Sequence, residues 1–149
     1  MVKRLYPRQP IVGVGAVIIC DGRILLERRK NDPGKGKWSI PGGLVELGES
    51  TEQTVIREVK EETDLEVEKP EHIDVVDNII RDENGEIKYH FVIIDYFMRL
   101  KGGTLGAASD AEELQWVTFA EVEKYDLTKT FREFLRRNRQ KLEKLNSRL

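Results

Sequence analysis

Residues 43–65 read GLVELGESTEQTVIREVKEETDL, and the reading of this stretch decides the fold. Ser50 is a strong helix N-cap, and Gln53 stands at capping-box spacing from it. A helix is predicted from there to about Thr63. At about 100° per residue, with Glu58 at 0°, Glu61 falls near −60° and Glu62 near +40°. Three carboxylates therefore share one face. Val55, Ile56, Val59 and Thr63 form the adjoining stripe, which is expected to pack on the core. Like charges at helical spacing repel one another, so folding alone does not place them there. A hard divalent cation removes the conflict, and carboxylate oxygens suit Mg²⁺ or Mn²⁺. Taken alone, the three glutamates also fit a solvated acidic face paired with lysines.

Outward from the helix, Gly42-Gly43 lets backbone approach a ligand with no Cβ in the way. Glu46, Gly48 and Glu49 mark a tight turn. Residues 11–20 are β-branched and apolar, hence a strand. Asp21-Gly22 is a two-residue hairpin turn, and 23–29 is the returning strand. NDPGKGK at 31–37 is loop, and 38–40 is a short strand ending at Pro41-Gly42-Gly43. Beyond the helix, 73–80 and 87–100 are strands joined at Asn84-Gly85. Residues 102–103 and 106–109 are loop, and 114–119 is a last strand. A short helical turn at 120–125 precedes a final helix capped by Thr128. Strands around an embedded helix, with a second helix at the end, predict a mixed-sheet α/β fold.

At 149 residues the chain is expected to form a single domain, 1–149, with a basic helix over 128–149. Charged residues are 35% and hydrophobic ones 39%, which excludes a disordered chain. No apolar run approaches the roughly 20 residues of a bilayer span, so no membrane partner is expected. The basic start, MVKRLYPRQP, is not followed by a signal-peptide apolar stretch. A single cysteine, Cys20, excludes an internal disulfide and a Cys-cluster zinc site. The expected compartment is cytoplasmic.

The net charge of −2 hides an asymmetry: +6 from residue 129 onward and −8 before it. The basic residues surround the terminal helix and are not interleaved with aromatics. A solvated helix is expected there rather than a nucleic-acid surface. Phe131, Leu135, Leu142, Leu145 and Leu149 fall on one stripe. Packing on the body is the expectation, and a homodimer seam the alternative.

Residues 43–65 resemble the Nudix box, G-x5-E-x7-R-E-U-x-E-E-x-G-U, with U a bulky aliphatic. Gly43, Glu49, Arg57, Glu58, Val59, Glu61, Glu62 and Leu65 fill their positions, and Trp38 to Gly43 look like the usual W-x-x-P-G-G approach. The one departure is Asp64, where the family has glycine. Asp is among the few other residues that tolerate the left-handed turn expected after a helix.

The resemblance implies a Nudix-type α/β/α sandwich and hydrolysis of a nucleoside diphosphate linked to another group. It makes Glu58, Glu61 and Glu62 the metal carboxylates, with a backbone carbonyl at Gly42 or Gly43, and makes Arg57 and Glu49 structural. In some members the general base is a box glutamate, here Glu61 or Glu62. In others it lies on a loop before the last strand, where Glu112 and Glu113 stand. Arg28 and Arg29 are candidates to hold phosphate. The overall look, including YHFVIIDYF, is similar to the ADP-ribose pyrophosphatase group, so ADP-ribose, cleaved to AMP and ribose 5-phosphate, is expected first. A (d)NTP pyrophosphatase removing oxidised nucleotides is the alternative enzyme. A nucleotide-sensing regulator is the alternative from another class, though such proteins often lose box carboxylates and this chain keeps them all.

Overall fold

Strand β1 (Ile11–Cys20) carries no polar side chain other than the Cys20 thiol, and all of its residues but Val12 are buried. A strand apolar on both faces needs cover on both, and two helices supply it. The computed structural model describes residues 3–101 and 113–147. The remaining strands are β2 (Arg23–Arg28), β3 (Trp38–Ser39), β4 (Gly42–Leu44), β5 (Glu71–Arg81), β6 (Ile87–Met98) and β7 (Leu114–Thr118). The helices are α1 (Thr51–Thr63) and α2 (Lys129–Ser147), with one 3-10 turn at Val122–Lys124.

The sheet runs β3-β2-β1-β6-β5, with β4 added on β1 and β7 on β2. β1 and β6 are parallel and the other pairings antiparallel, so the sheet is mixed. Alternation along β1 divides the core. Val14, Ala16, Ile18 and Cys20 pack with Val55 and Val59 of α1. Val17 and Ile19 pack with Phe131, Phe134 and Leu135 of α2. This is the α/β/α sandwich expected from the sequence.

Local chemistry explains the turns. Asp21 and Gly22 both have positive φ, 50° and 75°, as a tight primed hairpin turn requires. At the second hairpin, the Asp82 carboxylate accepts the amides of Asn84 and Glu86. At the start of α1 the capping box is complete: Gln53 N donates to Ser50 Oγ at 3.1 Å, and Ser50 N donates to Gln53 Oε1 at 2.9 Å. Thr128 Oγ1 accepts from Phe131 N at the start of α2.

The structure corrects three readings. The strand expected over 38–40 covers only Trp38–Ser39, and the glycines expected to end it begin a separate strand, Gly42–Leu44, opposite Gly15 and Val14 of β1. Ile56 is 44% exposed, at the edge of the α1 stripe, and Thr54 is buried in its place. The strand expected over 87–100 stops at Met98, with Leu100 kept in an isolated bridge to Val67.

The α2 stripe packs inward at Phe131, Leu135, Leu142 and Leu145, and Leu149 lies outside the described residues. Its one polar member, Asn138, is buried and donates to Asp74 Oδ2 at 2.8 Å and to the Phe134 carbonyl. Arg137 reaches the same carboxylate, and Arg139 pairs with Glu123. Part of the basic helix is thus neutralised by the acidic body. Among the described residues no helix is long and apolar enough to cross a membrane.

Asp64 caps α1 in the left-handed region, φ 58° and ψ 17°, and its exposed carboxylate pairs with Lys60 at 2.9 Å. Glycine relieves the Cβ crowding but gives up a surface ion pair of small worth. It also widens the unfolded ensemble. Asp64→Gly is therefore expected to leave the melting temperature unchanged or raise it by up to about 4 °C, with activity retained. A larger fall in a thermal melt would show a bonding role beyond the Lys60 pair.

Candidate active site

Arg57 organises the residues quoted first. Its Nε donates to Glu49 Oε2 at 2.7 Å and its Nη2 to Glu49 Oε1 at 2.9 Å, a two-point fork. Nη1 donates to Glu58 Oε1 at 2.9 Å and to Glu61 Oε2 at 3.2 Å, and Nη2 also reaches the Leu44 carbonyl. Glu49 further accepts from Thr54 Oγ1 and from Glu46 N. The Arg57 guanidinium, followed by these other donors, holds the Glu49 carboxyl down at about 2. The turn before the helix is thereby locked to the helix.

The three box carboxylates face different surroundings. Glu61 is largely exposed and turned to Arg57. Glu58 is mostly covered, and its carboxylate lies against Gly43, where a Cβ would collide with it. Glycine at 43 is thus required by a helix side chain, and glycine at 42 by the Val14 carbonyl of β1. Glu62 faces Glu58 and Glu27 of β2. Burial first, then these two carboxylates, pushes the Glu62 carboxyl far above its ordinary range, and burial raises Glu27 as well. Glu62 Oε1 is buried with no hydrogen-bond partner.

Glu27 did not emerge from the sequence as a site residue. The signal was present in the alternation of β2: Ile24 and Leu26 pack towards α2, while Leu25 packs towards α1. Glu27 continues the Leu25 face and so meets α1. Among the described residues, no three acidic, imidazole or thiol groups converge as a metal cage as they stand. The donor set nevertheless suits a hard dication. Its atoms are all oxygens, and one is buried without a donor.

Three of these carboxylates, Glu27, Glu58 and Glu62, line a cleft of ≈ 1260 Å³. Ligand pockets run to about 300–1,000 Å³, so this one has room for a dinucleotide-sized molecule. Glu27, Glu58, Glu62 and Gly43 line it, together with Arg29, Ile93 and Phe134. The remaining candidates separate. Arg29 lines the cleft and donates from Nε to the Pro33 carbonyl at 2.7 Å. Arg28 has the opposite strand parity and lies over the Trp38 ring instead, 5.8 Å from its centroid. Glu113 is paired with Lys30 at 2.8 Å. Glu112 lies outside the described residues.

Asp95 of β6 is a second site residue that the sequence reading missed. It lines the cleft floor yet is only 3% exposed. Its carboxylate lies over Gly15, where a side chain would strike it.

The NUDIX domain family model matches residues 9–137. The ADP-ribose pyrophosphatase of Methanocaldococcus jannaschii is 37% identical over 135 residues, covering 89% of this chain and 77% of that protein. The MutT NUDIX hydrolase of Burkholderia pseudomallei has a TM-score of 0.70 at 36% identity, covering 87% of this chain and 98% of that one. The NUDIX domain of Shewanella oneidensis NrtR, solved with ADP ribose, has a TM-score of 0.70 at 26% identity, covering 91% and 90%. The chain belongs to the Nudix hydrolase family, enzymes that hydrolyse nucleoside diphosphate derivatives with a divalent metal.

Burial, with a smaller contribution from Asp74 and an opposing one from Arg137, raises the Asp95 carboxyl to about 7. In the unfolded chain an aspartate titrates near about 3.9. The folded form thus holds the proton more tightly. The contribution to stability is intact below about pH 4 and is lost as pH rises through about 7. Asp95→Asn removes this dependence. In urea melts at pH 4, 6 and 8, the stability of the variant relative to wild type is expected to rise with pH, by on the order of 2–4 kcal/mol over the whole range. A constant difference would show that Asp95 titrates normally.

Proposed function

We propose that the chain hydrolyses the pyrophosphate bond of a nucleoside diphosphate derivative, with ADP-ribose its foremost substrate and Mg²⁺ (or Mn²⁺) its metal. The observation that carries this reading is the cluster of Glu27, Glu58 and Glu62, with its unpartnered Glu62 oxygen, in a cleft that Arg29 also lines. Negative groups at one place and a guanidinium beside them suit a diphosphate bound with a cation. The similarity to the Methanocaldococcus jannaschii ADP-ribose pyrophosphatase supports the choice of substrate.

In this reading Glu58, Glu61 and Glu62 hold the metal, with Gly43 supplying backbone and Glu27 adding charge behind Glu62. When bound, the ion neutralises the diphosphate and makes a water more acidic. Arg57 keeps Glu58 and Glu61 together with the Glu49 turn, and Glu61, which accepts from Arg57, would be the exposed member of the set that holds the ion. Arg29 binds phosphate. The proton of the attacking water goes to Glu62 or to Glu112. The Glu113 carboxylate is already engaged by Lys30. Hydrolysis of ADP-ribose yields AMP and ribose 5-phosphate. The setting is the cytoplasm, with a nucleotide as the partner.

A substrate panel with Mg²⁺ tests this: ADP-ribose, other NDP-sugars, NADH, and normal and oxidised (d)NTPs. The highest kcat/KM is expected on ADP-ribose, and a preference for oxidised (d)NTPs would overturn the substrate choice. Glu58→Gln and Glu62→Gln should each lose roughly 10²–10⁴ in turnover, the range for groups acting at the reacting atoms. Glu113→Gln should lose less than about tenfold. Wild-type turnover in both box variants would remove the metal assignment.

A further inference from the structure

Arg4 precedes the first strand, on an arm fastened to the β5–β6 hairpin. Tyr6 N donates to the Lys88 carbonyl at 2.8 Å, and Tyr6 Oη donates to Asp82 Oδ2 at 2.8 Å. The arm thus delivers Arg4 to the cleft, where its guanidinium lies over the Phe91 ring, 5.5 Å from the centroid. The ring face favours a cation but accepts no in-plane hydrogen bond. Arg4 Nε is buried with no acceptor. Arg29 lines the same cleft, and its hydrogen bond goes to the neutral Pro33 carbonyl.

The two guanidinium groups line one cleft. Arg29 is pushed below its ordinary range by burial and then by Arg4, against the pull of Glu27, Glu62 and Asp32. Like charges gathered in a partly desolvated cleft, one with a buried unanswered donor, call for an anion. Guanidinium matches the oxygens of phosphate with paired donors. We propose that Arg4 and Arg29 form a two-arginine clamp that binds a phosphate group of the substrate. The proposal rests on the nucleotide reading for the identity of that substrate, but the anion site follows from the arginines alone. It makes the N-terminal arm part of the binding cleft and Arg4 a substrate-binding residue.

The test is calorimetric titration, in EDTA, of inorganic pyrophosphate, AMP and adenosine into wild type, Arg4→Ala and Arg4→Gln, with a thermal melt of each and kinetics on the best panel substrate. Both variants should bind pyrophosphate and AMP about tenfold more weakly or worse, the scale of one lost charge-assisted contact. Adenosine binding and the melting temperature should be unchanged. KM should rise while kcat stays within about threefold, as for lost uniform binding. Equal affinity of all three proteins for pyrophosphate and AMP, including no binding by any, overturns the clamp. An equal loss of AMP and adenosine binding also overturns it, because the arm then shapes the cleft without holding phosphate. The two readings fail separately. Turnover of a nucleotide with unchanged anion binding in the variants removes the clamp alone. No turnover on the panel, with pyrophosphate binding lost in the variants, removes the nucleotide reading alone.

Discussion

One guanidinium fixes the geometry on which the rest of the site depends. Arg57 stands among Glu49, Glu58 and Glu61 and bonds to all three, with the Leu44 carbonyl as a further acceptor. Without it, those carboxylates would confront one another across the start of the helix. With it, the 45–49 turn, strand β4 and helix α1 hold a common position. The hydrogen bonds that Arg57 donates to Glu49, opposed by burial and reinforced by Glu58 and Glu46, keep Arg57 charged far beyond the ordinary arginine range. A lysine would retain the charge but lose the fork, since an ammonium cannot face two carboxylate oxygens and two further acceptors in one plane.

The carboxylates behind Arg57 are arranged against the interest of the folded chain alone. Glu27, Glu58 and Glu62 approach one another in a covered place, and burial raises two of them. Local rules of charge placement are broken here and satisfied elsewhere. Glu123 meets Arg139, Asp74 meets Arg137, and Glu71 meets Arg99. Such a concentrated conflict in an otherwise consistent chain is what a binding site looks like from the side of stability.

Features governed by neighbours in sequence are legible in the residues themselves. The Asp21-Gly22 hairpin, the Ser50–Gln53 box and the left-handed Asp64 each depend on a few adjacent residues, and each is found where expected. The spacing of Glu58, Glu61 and Glu62 was equally plain. Their unequal burial was not, because it depends on β2 and β4 passing beside the helix. Glu27 required knowing which face of β2 meets α1. Asp95 required knowing that Gly15 lies beside it in the parallel pair. Strand β4 was hidden by its glycines, which read as the end of the preceding strand until Val14 is set opposite Gly43. Arg28 and Arg29 could be told apart only once Trp38 was placed against β2.

The order in which the ribosome delivers these elements gives the second helix a particular burden. Residues 11–98 already supply the central strands β1 and β6, and their face bearing Val17, Ile19 and Phe97 is greasy and broad. Its cover, Phe131, Phe134, Leu135 and Leu142, is synthesised later. Until α2 emerges, the nascent chain presents that face to the cell, and Asp74 and Asn138 are not yet joined. The wall of the cleft formed by Phe131 and Phe134 is missing over the same interval. Completion of the cleft and concealment of the sticky face are therefore a single event during biosynthesis.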